Sequence, residues 1–100
     1  MRKVVLSKRA AKKLDELLEY LELEWSTNIK KEFVRKLEKS IEQIQRFPNS
    51  SPQSELEKGL YMLVLSKQTS IFYRFDTEYI KIVTIFDNRM NPDKLKGEIK

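Results

Sequence analysis

The sequence contains no cysteine and no histidine among its 100 residues. The missing cysteine excludes disulfides, a thiolate nucleophile and a cysteine-based metal site, and is typical of a cytosolic protein. Without histidine, proton transfer near neutral pH would require a perturbed Lys, Glu, Asp or Tyr, or would rely on charge stabilisation alone. Gly59 and Gly97 are the only glycines, so a glycine-rich phosphate loop is excluded. We therefore expect no metal ion and no cofactor.

Long apolar runs are missing as well, and no stretch approaches the roughly 18 apolar residues that a transmembrane helix needs. Residues 1–10 also lack the apolar core of a signal peptide. What the sequence does contain, 40% hydrophobic and 35% charged residues, is typical of a folded, well-solvated domain. We expect a single domain over residues 1–100, in the cytoplasm and without membrane contact. The net charge of +5 suggests an acidic partner, either a nucleic acid or an acidic protein.

The sheet-forming part of the chain lies between Leu60 and Pro92. Three runs there are rich in β-branched and aromatic residues, a composition typical of strands. Short polar turns separate the runs, and turns of this length join antiparallel neighbours. The sequence therefore predicts a three-stranded meander made of Leu60–Leu65, Ser70–Asp76 and Tyr79–Phe86.

An amphipathic helix is predicted after a short N-terminal strand. Val4–Leu6 is a β-prone run, and Ser7 can cap the helix that follows. Apolar residues from Ala10 to Trp25 recur at the spacing of one helical stripe. Basic residues fill the exposed side of the first half and acidic residues that of the second half, the reverse of the order that the helix dipole favours. The predicted fold gives no reason for this inversion, which raises the hypothesis of a partner surface on this helix.

A second amphipathic helix follows after a short turn. Its apolar stripe extends from Ile29 to Phe47 and stops there, because Pro48 cannot continue a helix. The two helices therefore form an antiparallel hairpin whose apolar side faces the meander. Trp25 and Phe33 lie on the apolar stripes and are predicted to belong to the core.

The remaining segments are predicted to be short or irregular. Asn49–Glu57 is polar and predicts a surface loop. Asn91 and Pro92 are typical of the start of a short terminal turn through Leu95, and Lys96–Lys100 is predicted to fray. The fold class is therefore α+β, in the order β-α-α-β-β-β, with a helical hairpin packed on one face of a small, mainly antiparallel sheet.

This order of elements, together with several short motifs, resembles the RelE/ParE superfamily of bacterial toxins from type II toxin–antitoxin systems. The resemblance covers nearly the whole chain and lies in the order and spacing of the motifs. The motifs are Ser7-Lys8-Arg9-Ala10, Trp25-Ser26, Phe47-Pro48, Ser70-Ile71-Phe72-Tyr73-Arg74 and Ile85-Phe86-Asp87-Asn88-Arg89-Met90-Asn91-Pro92.

The RelE branch comprises ribosome-dependent messenger RNA endonucleases, whose basic side chains stabilise a phosphorane-like transition state. Carried over by motif, the arginine after the last strand matches Arg89, and the lysines before the meander are represented by Lys58. The middle-strand arginine falls on Ser70, and Arg74 could replace it because the two share one strand face. The C-terminal tyrosine or histidine of these nucleases has no counterpart. A nuclease acting on mRNA at the ribosome would therefore use Lys58, Arg74 and Arg89 as its catalytic residues.

The ParE branch keeps the fold, lacks the nuclease residues and, in its characterised members, poisons DNA gyrase. The sequence resembles this branch more closely, so we expect an inhibitor of DNA gyrase rather than an enzyme, with Arg89 and Arg74 on its target-binding surface. Arg89 could also cap the C-terminal turn or pair with Asp87 or Asp93. A third alternative is a basic nucleic-acid-binding module without toxic activity, which charge and size allow.

The Leu60–Leu65 run is apolar at both of its alternating sets of positions, whereas the helical hairpin can cover only one set. The other set would form an exposed apolar patch, which usually marks a partner site. The resemblance implies that this partner is a cognate acidic antitoxin, ParD-like or similar, in a hetero-oligomer with the toxin. The predicted antitoxin site lies on the sheet face turned away from the hairpin and comprises Leu63, Phe72 and Lys67, with Arg74 and Arg89 also at its basic rim.

Overall fold

The computed structural model describes residues 1–99, which contain four strands and three helices. They follow the predicted order, with a helix in place of the terminal turn, and the fold class is α+β as predicted. No helix within these residues is both long and apolar enough to cross a lipid bilayer. The elements are β1 Lys3–Leu6, α1 Lys8–Glu24, α2 Thr27–Arg46, β2 Tyr61–Val64, β3 Thr69–Phe75, β4 Tyr79–Asp87 and α3 Pro92–Glu98.

The four strands form one mixed sheet in the order β1-β4-β3-β2. The strands β2, β3 and β4 are antiparallel neighbours, as their short turns predict, and β1 pairs in parallel with β4. The register places Leu63 opposite Ile71 and Ser70 opposite Phe86. It shifts after Phe72, at a β-bulge. Because side chains alternate along a strand, this register decides which of them face the hairpin and which face away.

Serine caps begin both long helices, as the sequence predicts for the first of them. The Ser7 hydroxyl accepts a hydrogen bond from the Ala10 amide at 3.0 Å and donates one to the Val83 carbonyl at 2.7 Å. The cap therefore also ties the start of α1 to β4. Ser26 caps α2 in the same way, and α2 ends just before Pro48, as predicted.

The helical hairpin covers one face of the sheet and forms the larger apolar core. Tyr73 is fully buried in this core, and its hydroxyl donates a hydrogen bond of 2.7 Å to the Pro48 carbonyl. This bond satisfies a buried polar group and ties the end of α2 to β3. Burial raises the pKa of the Tyr73 phenol. The buried members of the core are Ala10, Leu37, Ile44, Leu65, Ile71, Tyr73, Ile80, Ile82 and Ile85.

The other face of the sheet is covered by α3, which continues past the predicted turn. The prediction that the chain frays after Leu95 is wrong for residues 96–99. The reason is the i, i+4 pair of Leu95 and Ile99, which places two apolar side chains on one side of the helix, where both are buried. Lys100 lies outside the described residues. The second core comprises Leu60, Phe72, Phe86, Leu95 and Ile99.

The loop between α2 and β2 is tied to the outer edge of β2. The Ser54 amide donates a hydrogen bond of 2.6 Å to the Leu60 carbonyl, and the Met62 amide donates one of 3.0 Å to the Pro52 carbonyl. Gly59 turns the chain between these contacts with a φ of +83°, a left-handed conformation that favours glycine. The loop therefore pairs with the first residues of β2, the edge strand, whereas Val64 at the end of β2 remains exposed.

Candidate functional site

A polar cluster fixes the C-terminal end of α3 to α1 and β4. The Glu98 carboxylate accepts hydrogen bonds from the Lys13 ammonium and, at 2.8 Å, from the hydroxyl of the buried Thr84. The Arg9 guanidinium donates to the Glu98 carbonyl at 2.7 Å and to the Gly97 carbonyl at 3.4 Å. Arg9 therefore satisfies free carbonyl groups at the C-terminal end of α3, and Lys13 places a second positive charge beside that end. Part of the basic half of α1 thus has a structural role within the fold.

The acidic half of α1 leads to an exposed surface at the connection between α1 and α2. Glu22 pairs with Lys30 at 2.5 Å, which gives one of these acids a partner within the hairpin. Trp25 is 66% exposed, so the prediction that it belongs to the core is wrong. The reason is that Trp25 is the C-cap of α1, where the backbone leaves the helical conformation and the apolar stripe ends. Phe33 does pack against the hairpin core, as predicted.

Lys67 and Arg89 lie at the same end of the sheet. Lys67 is exposed in the turn between β2 and β3, and this turn contacts the segment that follows β4. The Asn88 amide donates to the Gln68 carbonyl at 2.7 Å, and the Asn88 side chain donates to the Lys67 carbonyl at 3.3 Å. The fold therefore brings together two of the five basic and apolar residues that the sequence assigned to one antitoxin surface.

Arg89 is paired within the chain and yet remains open to solvent. Its guanidinium donates to the two Asp87 carboxylate oxygens at 3.0 and 2.8 Å, while its side chain is 64% exposed. These hydrogen bonds lower the pKa of Asp87 and raise that of Arg89, and the nearby Tyr20 adds to the rise. Of the intramolecular roles that the sequence allowed for Arg89, the pair with Asp87 is therefore the one that forms.

Arg74 and Lys58 lie at the opposite end of the sheet. The Arg74 guanidinium donates to the Glu57 carboxylate at 2.7 Å, and Lys58 follows Glu57 directly and is exposed. This pair closes the loop before β2 onto β3. Arg74 thus has an intramolecular partner that sequence analysis did not identify.

The candidate basic residues fall into two groups at opposite ends of the sheet. Thr69, at the start of β3, pairs with Asp87 beside Arg89, whereas Arg74 lies near the far end of the same strand. At about 3.3 Å per residue, the backbone positions of Thr69 and Arg74 are roughly 16 Å apart along β3. The basic residues that a RelE-like nuclease would use therefore form two separate groups.

The residues predicted for antitoxin binding do not share one exposed face. Phe72 is only 3% exposed because α3 covers it, so the prediction that it forms part of an open patch is wrong. Leu63 lies on the opposite face, half-buried against the hairpin core. Lys67 is exposed, as expected. Val64, which is 56% exposed, is an apolar side chain of β2 that remains open to solvent.

A family model described as the ParE toxin of the type II toxin–antitoxin system parDE matches residues 4–92, which extend from β1 to the first residue of α3. The protein belongs to this family. The match confirms the resemblance to the RelE/ParE superfamily and favours its ParE branch. No curated protein matches the sequence.

Three solved structures share the fold of this ParE-family chain. A chromosomal ParDE toxin–antitoxin system from P. aeruginosa is 22% identical, with a TM-score of 0.67 over 87% of this chain and 96% of that chain. The YoeB dimer from Staphylococcus aureus is 18% identical, with a TM-score of 0.59 over 85% and 94%. A mutant of YafQ from E. coli is 10% identical, with a TM-score of 0.58 over 89% and 96%.

Two features of this ParE-family chain were missed by sequence analysis. The first is the docking of α3 through Glu98, which the i, i+4 spacing of Leu95 and Ile99 could have indicated. The second is the exposure of Trp25. The charge pattern of α1 did raise the hypothesis of a partner surface, but sequence analysis did not place Trp25 on it.

Proposed function

We propose that this ParE-family protein inhibits growth by binding DNA gyrase, and that a cognate antitoxin neutralises it. The separation of its basic residues carries the proposal. A nuclease of the RelE type needs several cations around one phosphate, whereas Arg74 and Arg89 lie at opposite ends of the sheet and pair with different acids, Glu57 and Asp87. This arrangement supports an inhibitor that acts by binding, and membership of the ParE toxin family supports it further.

Arg89 is proposed as a contact to the target. Its guanidinium is exposed and its only observed acidic partner within residues 1–99 is Asp87, two residues earlier. Exposed pairs of this kind contribute little to stability, so the guanidinium can exchange its partner at small cost. Arg74 is proposed as a second, separate contact. Because the two lie more than about 10 Å apart, their effects on target binding are expected to be additive.

The antitoxin is proposed to bind along β2, at the edge of the sheet. Lys67 would contribute from its exposed turn and Leu63 from the hairpin side of β2, opposite the predicted face, while the exposed Val64 adds apolar area. Phe72 can contribute only when α3 leaves the sheet, because α3 covers it. The partner would be a ParD-like acidic protein, because the chain is basic and Lys67 is exposed at this end of the sheet, where it can pair with an acidic side chain.

The proposal is tested by expressing the toxin and by assaying the purified protein against DNA gyrase. The wild type is expected to inhibit supercoiling and to induce a DNA-damage response, while cellular messages remain intact in primer extension. Arg89→Ala is expected to weaken inhibition about tenfold, because it removes a charge-assisted contact worth roughly 1.5 kcal/mol. Arg89→Lys is the matched control for charge, and it should restore part of the inhibition.

Two outcomes would contradict the proposal. Messages cut at codon-defined positions would favour the RelE-like alternative, an mRNA endoribonuclease dependent on Lys58, Arg74 and Arg89. Full activity of Arg89→Ala against gyrase would remove Arg89 from the target surface while leaving gyrase as the target.

A further inference from the structure

Large apolar side chains are exposed together where α1 meets α2. Elsewhere in residues 1–99 the exposed large apolar side chains are scattered along the chain, but here four of them fall within ten residues. Their exposed fractions range from 40% to 73%. A cluster of this kind in a monomeric domain usually marks a binding site. We call this surface the hairpin tip; it consists of Tyr20, Leu23, Trp25 and Ile29.

The hairpin tip extends beyond the apolar core that the hairpin forms with the sheet. Within residues 1–99, the contribution of α1 to that core ends at Leu17, and the contribution of α2 begins at Phe33. The seven helical residues of α1 after Leu17 cover about 10 Å at 1.5 Å per residue. Trp25 is thus exposed because the hairpin is longer than the sheet face requires. In this extension Leu18 and Leu21 are half-buried, while Tyr20 and Leu23 are exposed.

The charge around the hairpin tip restricts the class of partner. Residues 14–31 carry five acidic side chains and two lysines, a net charge of −3, although the chain as a whole is basic; one of the lysines, Lys30, pairs with Glu22. Such a surface repels nucleic acid, anionic lipid and an acidic antitoxin. A second copy of the chain docked tip to tip would bring the same acids together, which is also unfavourable. The surface fits a protein whose apolar pocket is surrounded by basic side chains.

We propose that the hairpin tip is the surface by which the toxin docks on its target protein, with Trp25 inserted into an apolar pocket whose rim carries lysine or arginine. This inference rests on the proposed function only in requiring that the toxin acts by binding a protein. Tryptophan is among the residues that most often dominate interface energies.

The decisive experiment compares Trp25→Ala with Phe47→Ala. Both side chains are 66% exposed, and Phe47 lies at the other end of α2. Trp25→Ala is expected to weaken gyrase inhibition about 30-fold and to abolish growth arrest, as truncation of a central interface tryptophan does. Phe47→Ala should remain fully toxic. Both variants should keep the wild-type melting temperature and bind the antitoxin as tightly as the wild type. Leu23→Ser provides a second tip variant that leaves the C-cap residue unchanged.

Trp25 is the only tryptophan in the chain, so its fluorescence reports directly on the hairpin tip. Its emission is expected to shift to shorter wavelength on addition of purified gyrase holoenzyme, and to stay unchanged on addition of antitoxin or on raising the toxin concentration. The double reversal Glu19→Lys with Glu24→Lys should weaken the gyrase-induced shift. A shift caused by antitoxin, or by toxin concentration alone, would overturn the proposal and assign the tip to the antitoxin or to a second copy.

The outcomes separate this inference from the gyrase proposal. If the wild type inhibits gyrase and both tip variants inhibit it equally well, the inference is wrong and gyrase remains the target. If the wild type leaves gyrase unaffected, the gyrase proposal fails, and the growth assay still decides the inference. Loss of growth arrest in the tip variants but not in Phe47→Ala would then support docking on another protein, whereas full toxicity would overturn it.

Discussion

At the scale of single residues, polar side chains hold backbone segments that the apolar cores do not reach. The Asp76 carboxylate accepts hydrogen bonds from the Glu78 and Tyr79 amides at 2.8 and 2.7 Å, which closes the turn between β3 and β4 and lowers its pKa. Asp87 has the same role towards Arg89 after β4. Inside the core, the Tyr73 hydroxyl likewise holds the segment after α2 by its hydrogen bond to the Pro48 carbonyl. Asp76 is exposed and Asp87 half-buried, whereas Tyr73 is fully buried, so the Tyr73 hydrogen bond should matter most for stability.

Tyr73→Phe is expected to lower the free energy of unfolding by about 1–3 kcal/mol, because the Pro48 carbonyl loses its buried donor. The pKa of Tyr73 is raised in the folded state, so above about pH 10 the unfolded chain releases this proton while the folded chain retains it. Stability therefore falls as pH rises through that range, and this contribution disappears in Tyr73→Phe. Urea titrations between pH 7 and 11 measure both effects.

Tyr61→Phe is the matched control for this change. The Tyr61 ring stacks on the Tyr73 ring with a centroid distance of 5.6 Å, but the residue is only half-buried. The control should change stability by less than about 0.5 kcal/mol. An equal loss in both variants would assign the effect to ring packing rather than to the hydrogen bond.

At the scale of elements, α3 is the piece with the smallest attachment. It is seven residues long, too short to persist as a helix in water on its own. It is held by Leu95 and Ile99 on the apolar side and by Glu98 on the polar side. It covers Phe72 of the sheet, which would be exposed to solvent if α3 detached.

Leu95→Ala is expected to detach α3 without unfolding the hairpin core. The lost side chain is worth about 2 kcal/mol or more where it is buried, which is comparable with the stability of a short docked segment. Amide hydrogen exchange should accelerate in residues 93–98, and a hydrophobic dye should bind the newly exposed sheet face. Lys94→Ala, at an exposed position of the same helix, should change neither. A cooperative loss of the whole fold would contradict independent docking of α3.

The elements differ in how well the sequence predicted them. The strands and both long helices were predicted closely because Ser7, Pro48 and the alternation in β3 and β4 are local signals. The spacing of Leu95 and Ile99 could have indicated an apolar side of α3, but its contact with Thr84, fourteen residues from Glu98, is not visible in any local pattern. The site was predicted less well for the same reason. Sequence analysis placed Arg74 and Arg89 on one surface, but in the fold they lie at opposite ends of the sheet.

At the scale of the whole molecule, charge is distributed unevenly. The chain has a net charge of +5, yet the acids of residues 14–29 make one end of the hairpin negative. The rest of the surface is correspondingly more basic. An acidic antitoxin should therefore be steered towards the sheet edges and away from the hairpin tip.

The rate at which antitoxin associates is expected to fall as ionic strength rises, while its dissociation rate changes little, because long-range steering acts before contact.

Val64→Asp should accelerate dissociation and change the association rate little, since it places a charge in the proposed apolar contact on β2. Stopped-flow and surface-binding kinetics at several salt concentrations separate the two. A salt-independent association rate would contradict electrostatic steering. A wild-type dissociation rate in Val64→Asp would place the antitoxin elsewhere.

The parallel pairing of β1 with β4 has a consequence for how the chain is made. Within residues 1–99, β1 has β4 as its only neighbour in the sheet, and the Ser7 hydroxyl bonds to a carbonyl 76 residues away. At about 5–20 residues per second, synthesis delivers β4 roughly 4–15 s after β1. During that interval the first strand has no partner. A chain released before Tyr79 is made therefore lacks every residue that pairs with β1, and its sheet cannot form in the order seen here.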